Sequence, residues 1–316
     1  MDVLGLMDPE LRAVVQDRPD IELRDIPAAR AAHAARRQSL SSAQWPPDVV
    51  CEDHRVPRPG GGDSLRVRRY RPAGVDAALP CLYWNHGGGF VLGSVEQDDE
   101  LLCEVVRSVG CCVISVDWRH APEHPFPAAV CDSYDGLDWV WANALELRVD
   151  GDRIAIGGAS SGGGLAAGVA LLARDLGTVP LCHQLLIYPM LDDRTLTRSS
   201  QSIICRKVWN RVANTAAWNA YLGAGHETQD VSPYGAPARA PCQRGLPPAF
   251  IAVGALDVLL DEDVIYAQRL RAAEVPTELH VYPGAAHAFD VHAPDAALSR
   301  RLADDRKHAL RRAFGF

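Results

Sequence analysis

The feature that most constrains this chain is an alternation of strand-like and helix-like segments that begins near residue 49. Alternating strands and helices indicate a mostly parallel sheet with helices packed on both faces. The predicted strands span residues 50–56, 65–71, 81–85, 111–117, 153–157, 183–189, 249–254 and 277–282. The predicted helices include residues 98–109, 127–143, 162–175, 261–274 and 294–313. We therefore expect the α/β class, with one large doubly wound sheet of eight strands.

Two regions do not fit the alternation. Residues 1–45 read as helices without a strand, and residues 191–245 separate two strands by far more than a short connection needs. We interpret both as a helical cap over one end of the sheet. The predicted division is 1–48 for the N-terminal part of the cap, 49–190 for the core, 191–245 for the cap insertion and 246–316 for the rest of the core. Trp209, Trp218 and Tyr221 lie in the insertion at near-helical spacing, either as its core or also as lining of a ligand pocket.

Charge and composition exclude several classes of protein. The chain carries 32 Lys and Arg against 40 Asp and Glu, which argues against a nucleic-acid partner because such proteins usually present a basic face. No apolar run reaches the roughly 18–20 residues of a membrane span, and acids stand where a secretory signal would carry basic residues. We therefore expect a cytoplasmic protein. The nine cysteines form no C-x-x-C pair, so we expect buried small apolar side chains and no metal site.

A cluster of glycines surrounds two serines where a predicted strand meets a predicted helix. Gly158 to Gly162 match G-x-S-x-G, and only Ser160 has glycine at both −2 and +2. A nucleophile at a tight strand-to-helix turn needs such small neighbours, and the helix N-terminus favours developing negative charge. Two other interpretations are a glycine-rich turn with a capping serine and a dinucleotide fingerprint over residues 162–167. The second fits poorly, because those glycines do not come directly off the strand.

A nucleophilic serine requires a base and an acid that orients the base. Asp257 follows the predicted strand 249–254, and His287 follows the last predicted strand by a few residues. Both loops leave the carboxyl ends of parallel strands, where such sheets hold their active sites. Ser160, Asp257 and His287 are therefore the candidate catalytic residues.

Other acids and histidines compete for these roles. Asp261 and Asp263 are alternative acids, but they fall inside the following predicted helix. His280 lies within a strand, and His120 and His124 lie in a proline-rich loop. These three histidines are expected to be structural.

Ester or amide chemistry also needs hydrogen-bond donors for an oxyanion. His86 and the three glycines after it follow the predicted strand 81–85, and backbone N–H groups approach a ligand closely where side chains are absent. The N–H groups of Gly87, Gly88 and Ser161 are therefore the candidate oxyanion hole. A plain glycine-rich connection is the alternative.

These motifs together resemble the hormone-sensitive lipase-like family of α/β-hydrolases, in the branch with bacterial esterases. The sequences HGGGF, GGASSGGGLAA, DVLLDED and HAF occur in the family's order, and VDWRHAPEHPFPA is similar to a further family segment. The resemblance covers roughly residues 50–316. It implies the α/β-hydrolase fold with a helical cap, Ser160 as nucleophile, Asp257 as acid and His287 as base. It also implies Gly87, Gly88 and Ser161 as oxyanion donors, and ester hydrolysis without metal or cofactor.

Four positions depart from the family pattern. Ala159 stands where many members have Asp or Thr, and Ser161 replaces the usual Ala after the nucleophile. Trp118 and His120 replace the usual Tyr and Leu. These departures leave the subgroup, the packing beneath the site and the role of the Ser161 hydroxyl open.

The function expected is a serine carboxylesterase acting on short- to medium-chain esters through an acyl-enzyme. Its activity should fall as the pH drops through the titration of the His287 base. The partner is a small-molecule ester, and the protein is a monomer or a homodimer. One alternative is a related hydrolase of amides, lactones or carbamates, because the same triad serves all of these bonds. The other is a non-catalytic small-molecule receptor on the same scaffold.

Overall fold

A computed structural model describes residues 1–40, 46–58 and 63–316. Residues 41–45, which belong to the predicted N-terminal helical region, lie outside the described residues. The described chain forms an eight-stranded sheet in the order β1-β2-β4-β3-β5-β6-β7-β8. The strands are β1 (Val49–Val56), β2 (Leu65–Pro72), β3 (Leu79–Asn85), β4 (Cys112–Asp117), β5 (Val149–Ala159), β6 (His183–Ile187), β7 (Ala249–Gly254) and β8 (Thr277–Tyr282).

The sheet is mostly parallel, as predicted. Strands β3 to β8 all pair in parallel, whereas β2 runs antiparallel to both β1 and β4. The predicted strands match the observed ones closely, with one large difference at β5. That strand begins at Val149 rather than residue 153, because Val149 pairs with Leu79 before a register shift. The charged residues and glycine between Val149 and Ile154 obscure this start in the sequence.

Helices cover both faces of the sheet. The described α-helices are α1 (Val3–Leu6), α2 (Pro9–Val15), α3 (Ile26–Leu40), α4 (Asp99–Val109), α5 (Ala128–Ala142), α6 (Ala144–Leu147), α7 (Ser161–Leu176), α8 (Arg198–Ser202), α9 (Arg211–Leu222), α10 (Leu260–Ala272), α11 (Phe289–His292) and α12 (Ala297–Phe314). Helix α7 packs on α5 and on β3, β5 and β6, while α12 packs on α4. This is the doubly wound α/β arrangement that the sequence predicted. Among the described helices, none has both the length and the apolar character needed to span a bilayer.

The N-terminal helices contact the segment between β6 and β7. The terminal amine of Met1 donates to the Ser202 carbonyl at 3.3 Å, and Ile21 N–H donates to the Arg206 carbonyl at 2.7 Å. The Asp8 N–H also donates to the carbonyl of Gly284, just after β8, at 3.0 Å. Residues 1–40 and 191–248 contain helices and no strand in the part of the chain that the structure describes. The two regions that do not follow the alternation of strands and helices are therefore in contact.

The cysteines divide by environment. Cys81, Cys103, Cys111 and Cys112 are buried, as predicted, and all nine cysteines are free thiols. Cys131 and Cys242 are exposed, so the expectation of burial is wrong for these two. Cys131 lies on the solvent face of α5, and Cys242 lies in the connection before β7.

The carboxyl ends of the parallel strands position the candidate residues. The glycine loop (residues 87–89) follows β3, Ser160 follows β5, Asp257 follows β7 and His287 follows β8. Because these strands run in the same direction, all four connections leave the same edge of the sheet. The fold therefore gathers residues that are far apart in sequence.

Candidate active site

Ser160 lies at the sharp turn between β5 and α7. Its backbone has φ +57° and ψ −123°, a conformation that non-glycine residues rarely adopt and that costs about 1–3 kcal/mol. The Ser160 N–H donates to the Ile187 carbonyl at 2.9 Å, and the Ser160 carbonyl accepts from Met190 N–H at 3.0 Å. A Cβ at Gly162 would lie 2.1 Å from the Asn85 carbonyl oxygen, so this position must lack a side chain. The surrounding backbone thus holds the strained turn in place.

Three side chains from separate loops meet in one hydrogen-bonded chain. His287 Nε2 lies 2.9 Å from Ser160 Oγ, and His287 Nδ1 lies 2.8 Å from Asp257 Oδ2. Asp257 Oδ1 also accepts the Leu259 N–H at 3.0 Å, which fixes the carboxylate. Ser160, His287 and Asp257 are 9%, 5% and 1% exposed. With Nδ1 protonated, Nε2 is free to accept the proton of the serine hydroxyl.

The alternative acids lie elsewhere. Asp261 Oδ2 accepts the Ser199 N–H at 2.7 Å, and Ser199 Oγ accepts the Asp261 N–H at 3.1 Å. This reciprocal pair ties α8 to α10. Asp263 is fully buried and neither of its carboxyl oxygens has a partner among the described residues. Burial, with the nearby carboxylates of Glu262 and Asp257, raises the pKa of Asp263 well above its usual value.

Glu262 is a second buried carboxyl group on the same helix. Its Oε1 accepts the N–H groups of Leu191 and Asp192 at 2.8 and 3.2 Å. Burial is the main cause that raises its pKa well above the usual value. Despite these acids, the described residues contain no group of three or more His, Cys, Asp or Glu side chains arranged to hold a metal ion.

The other candidate histidines have structural partners. His280 Nδ1 lies 3.1 Å from Asp305 Oδ2, and its Nε2 lies 2.7 Å from Glu278 Oε1. The ring of His120 meets the ring of Trp118 edge-on at 4.7 Å between centroids. Neither contact involves Ser160.

The glycine loop after β3 lies directly against Ser160. A Cβ at Gly87 would lie 3.4 Å from Ser160 Cβ. Among the described residues, the N–H groups of Gly87 and Gly88 donate to no acceptor of the protein. Ser161 is the first residue of α7, so its N–H has no acceptor within the helix. These three N–H groups can therefore serve a ligand at Ser160.

The Ser161 hydroxyl takes no part in the hydrogen-bonded chain. Ser161 is fully buried, and its Oγ has no hydrogen-bond partner within the described chain. The competition with Ser160 for a hydrogen bond, which the sequence left open, is therefore absent from this geometry.

Two aromatic side chains contact the His287 ring. The Trp209 ring lies 6.1 Å from it, tilted by 35°, and the Tyr188 ring lies edge-on at 4.8 Å. Trp209 also reaches the glycine loop, since a Cβ at Gly89 would lie 2.6 Å from its Cη2. Tyr188 O–H donates to Asp290 at 2.9 Å. Tyr188 was not among the predicted site residues, although its place directly after β6 was a usable signal.

The aromatic residues of the 191–245 segment divide into two groups. Trp218 and Tyr221 are fully buried, and Tyr221 stacks on Phe90 at 3.9 Å between centroids. Trp209 remains partly exposed beside His287. Two of the three therefore belong to the packed interior, and one borders the candidate site.

The departures at positions 118 and 120 support the glycine loop from behind. The His86 ring stacks on Trp118 at 4.5 Å and 11°. Burial, followed by the charges of His86 and Arg30, lowers the pKa of His120 to about 3. His120 is therefore neutral at any pH at which a histidine base could work.

Arg30 on α3 holds the segment after the glycine loop. Its guanidinium donates to the Val91 carbonyl at 2.6 Å and to the Ala121 carbonyl at 2.8 Å. It also forms an ion pair with Glu123 at 2.8 Å. The N-terminal region thereby contacts the connections that follow the carboxyl ends of β3 and β4.

Comparisons with known proteins identify the family. A family model described as alpha/beta hydrolase fold matches residues 82–291. Carboxylesterase NlhH of Mycobacterium tuberculosis is 35% identical over 289 residues, which cover 90% of this chain and 88% of that protein. Among solved structures, a bacterial heroin esterase has 39% identity and a TM-score of 0.95, covering 98% of this chain and 99% of that chain. Esterase LipW of Mycobacterium marinum has 37% identity and a TM-score of 0.91, covering 99% and 98%. The chain belongs to the α/β-hydrolase fold family, in its hormone-sensitive lipase-like group.

Proposed function

We propose that this protein is a serine carboxylesterase that hydrolyses short- to medium-chain esters through an acyl-enzyme. The observation that carries the proposal is the hydrogen-bonded chain from Ser160 through His287 to Asp257, with distances of 2.9 and 2.8 Å. The similarity to a carboxylesterase over 90% of the chain supports ester hydrolysis as the reaction.

The first half of the cycle forms the acyl-enzyme. His287 Nε2 takes the proton of the Ser160 hydroxyl while the Ser160 oxygen attacks the ester carbonyl carbon. Asp257 holds the Nδ1–H and stabilises the imidazolium that forms. His287 then gives its proton to the leaving alkoxide, which departs as the alcohol.

The oxyanion of the tetrahedral intermediate accepts hydrogen bonds from the N–H groups of Gly87, Gly88 and Ser161. Donors that are oriented before the reaction stabilise the oxyanion better than water molecules do, because they need no reorganisation. In the second half, His287 deprotonates a water molecule that attacks the acyl carbon. The same donors stabilise the second intermediate, and Ser160 is released with its proton.

We also propose that residues 1–48 and 191–245 act as a cap over the site. The hydrogen bonds that join these two regions, such as Met1 to Ser202, support this role. Trp209 supports it as well, because its ring lies beside both His287 and the glycine loop. An aromatic wall so close to the nucleophile favours acyl chains of limited length.

The test is the release of p-nitrophenol from acetate, butyrate and octanoate esters by wild type, Ser160→Ala and Ser161→Ala. Ser160→Ala should lose roughly 10⁴-fold or more of the rate. Ser161→Ala is the matched control, because it removes a neighbouring hydroxyl but keeps the backbone N–H. It should retain wild-type activity.

The pH dependence provides a second readout. Wild-type activity should fall in acid, because a protonated His287 cannot accept the hydroxyl proton. A folded wild type that is inert on all three esters, or a fully active Ser160→Ala, would contradict the proposal. Turnover of amides or lactones in preference to esters would move the assignment to another hydrolase class.

A further inference from the structure

The carbonyl oxygen of Gly87 accepts two side-chain hydrogen bonds. His86 Nδ1 lies 2.9 Å from it, and Gln97 Nε2 donates to it at 3.2 Å. Gln97 belongs to the short 3₁₀ helix Val95–Asp98, ten residues further along the chain. Gly87 is buried, so its carbonyl depends on donors of the protein, and these two side chains fix the direction in which it points.

The loop is shaped to make room for this arrangement. A Cβ at Gly93 would lie 2.6 Å from the Gly87 carbonyl oxygen and 2.6 Å from His86 Nδ1. Gly93 also has φ +116°, which side chains rarely tolerate. The bare backbone at Gly93 therefore allows His86, the Gly87 carbonyl and Gln97 to converge.

The direction of the Gly87 carbonyl fixes the direction of a donor in the oxyanion hole. The Gly87 C=O and the Gly88 N–H belong to one planar trans peptide, so they point in opposite directions. A group that holds the carbonyl from behind therefore aims the Gly88 N–H at the other side. Hydrogen bonds to the carbonyl also polarise the peptide, which strengthens the N–H as a donor.

We propose that Gln97 is a positioning residue of the oxyanion hole, which acts through the Gly87–Gly88 peptide without touching the substrate. The inference rests on the proposed function, because it assigns Gly88 N–H to the oxyanion. The Gln97 amide orientation follows from its acceptor, since a flipped amide would place its oxygen against the Gly87 carbonyl. A carboxylate at this position would repel the same carbonyl.

The experiment compares wild type, Gln97→Met, Gln97→Glu and Gln184→Met on p-nitrophenyl butyrate. Gln184 is the matched control, because its Nε2 also donates to a backbone carbonyl, that of Pro247, at 2.9 Å. It lies near the amino-terminal end of β6, whereas Ser160 follows the carboxyl end of the neighbouring strand β5. Thermal unfolding of each variant reports stability separately from activity.

Gln97→Met should lower kcat roughly tenfold with KM within about twofold of wild type. The expected loss is smaller than the roughly 10²–10³-fold caused by deleting an oxyanion donor outright, because the Gly88 N–H remains present but poorly aimed. Gln97→Glu should lose more at neutral pH. Its activity relative to wild type should recover as the pH falls, because a protonated carboxyl group can again donate to the carbonyl. Gln184→Met should lose stability but keep kcat.

Unchanged kcat in both Gln97 variants would overturn the proposal, and so would a change confined to KM or to stability. A crystal structure of Gln97→Met provides a measurement that does not depend on turnover. The Gly87–Gly88 peptide should rotate from its wild-type direction, and an unrotated peptide would also overturn the proposal. An inert wild type would instead count against the esterase assignment, which keeps the two failures distinct.

Discussion

The buried carboxyl group of Asp263 should make the unfolding free energy of this protein depend measurably on pH. Its carboxyl group is fully buried, and neither oxygen has a hydrogen-bond partner among the described residues. Burial and the adjacent acids raise its pKa in the folded protein, whereas an aspartate in the unfolded chain has a pKa of about 3.9. Above that value, the folded state therefore holds a proton that the unfolded chain has lost. We expect Asp263→Asn to remove this difference while keeping the shape of the side chain.

The size of the effect follows from proton linkage. A folded state that holds one extra proton loses about 1.4 kcal/mol of unfolding free energy for each unit by which the pH rises. The loss begins above about pH 4 and continues until the folded carboxyl group itself ionises. The pKa of Glu262 is also raised by burial, so Glu262 contributes a similar slope to both proteins and cancels in the comparison. The variant should therefore gain about 1.4 kcal/mol relative to wild type for each pH unit above about pH 4 over which Asp263 stays protonated in the folded protein.

The assay is urea unfolding followed by tryptophan fluorescence at closely spaced pH values. Asp230→Asn is the control, because Asp230 is exposed and its removal should leave the pH slope of wild type unchanged. The pH at which the difference levels off measures the pKa of Asp263 in the folded protein. Equal slopes for wild type and Asp263→Asn would refute the reasoning.

Three further changes test other features. Trp209→Ala should raise the octanoate-to-acetate ratio of kcat/KM at least roughly tenfold, and an unchanged chain-length profile would show that this ring does not limit the acyl chain. Gly162→Ala should lower stability by about 3 kcal/mol or more, because the new Cβ would lie 2.1 Å from the Asn85 oxygen. The control is Gly151→Ala, because its new Cβ would lie no closer than 3.7 Å to a neighbouring atom and its backbone is not in the left-handed region; equal unfolding temperatures for the two would contradict the clash. The pKa of His120 falls to about 3 in the fold, so stability should be lost as the pH drops below about 6.5. His120→Leu should reduce this loss of unfolding free energy by about 2 kcal/mol at about pH 5. An equal loss in wild type and variant would contradict the prediction.

The sheet was predictable because its strands are buried on both faces. Such strands appear as short apolar runs, and the glycine and proline connections between them mark their ends. The early start of β5 at Val149 was not predictable, because it depends on pairing with Leu79 across a register shift. The exposure of Cys131 likewise depends on which face of α5 turns to solvent. The division into cap and core segments stays a prediction.

The residues of the candidate site differ in how far the sequence could reveal them. Ser160, Asp257 and His287 stand at strand ends, and parallel strands bring such ends together. The contact of Trp209 with Gly89 joins distant segments, and the hydrogen bond from Gln97 to Gly87 depends on how the ten residues between them fold, which no local pattern encodes. The burial of Asp263 was hidden for a similar reason, since its helix places charged residues on both its inner and outer faces.

The reciprocal hydrogen bonds between Ser199 and Asp261 affect how segments of this protein can be recombined with those of its relatives. They join the segment after β6 to the helix that directly follows Asp257. A grafted segment without a serine at position 199 would leave the Asp261 N–H without that hydroxyl acceptor. The disturbance would lie only four residues from Asp257, the proposed acid of the triad. Chimeric enzymes should therefore exchange residues 191–245 together with α10, so that both halves of the pair come from the same parent.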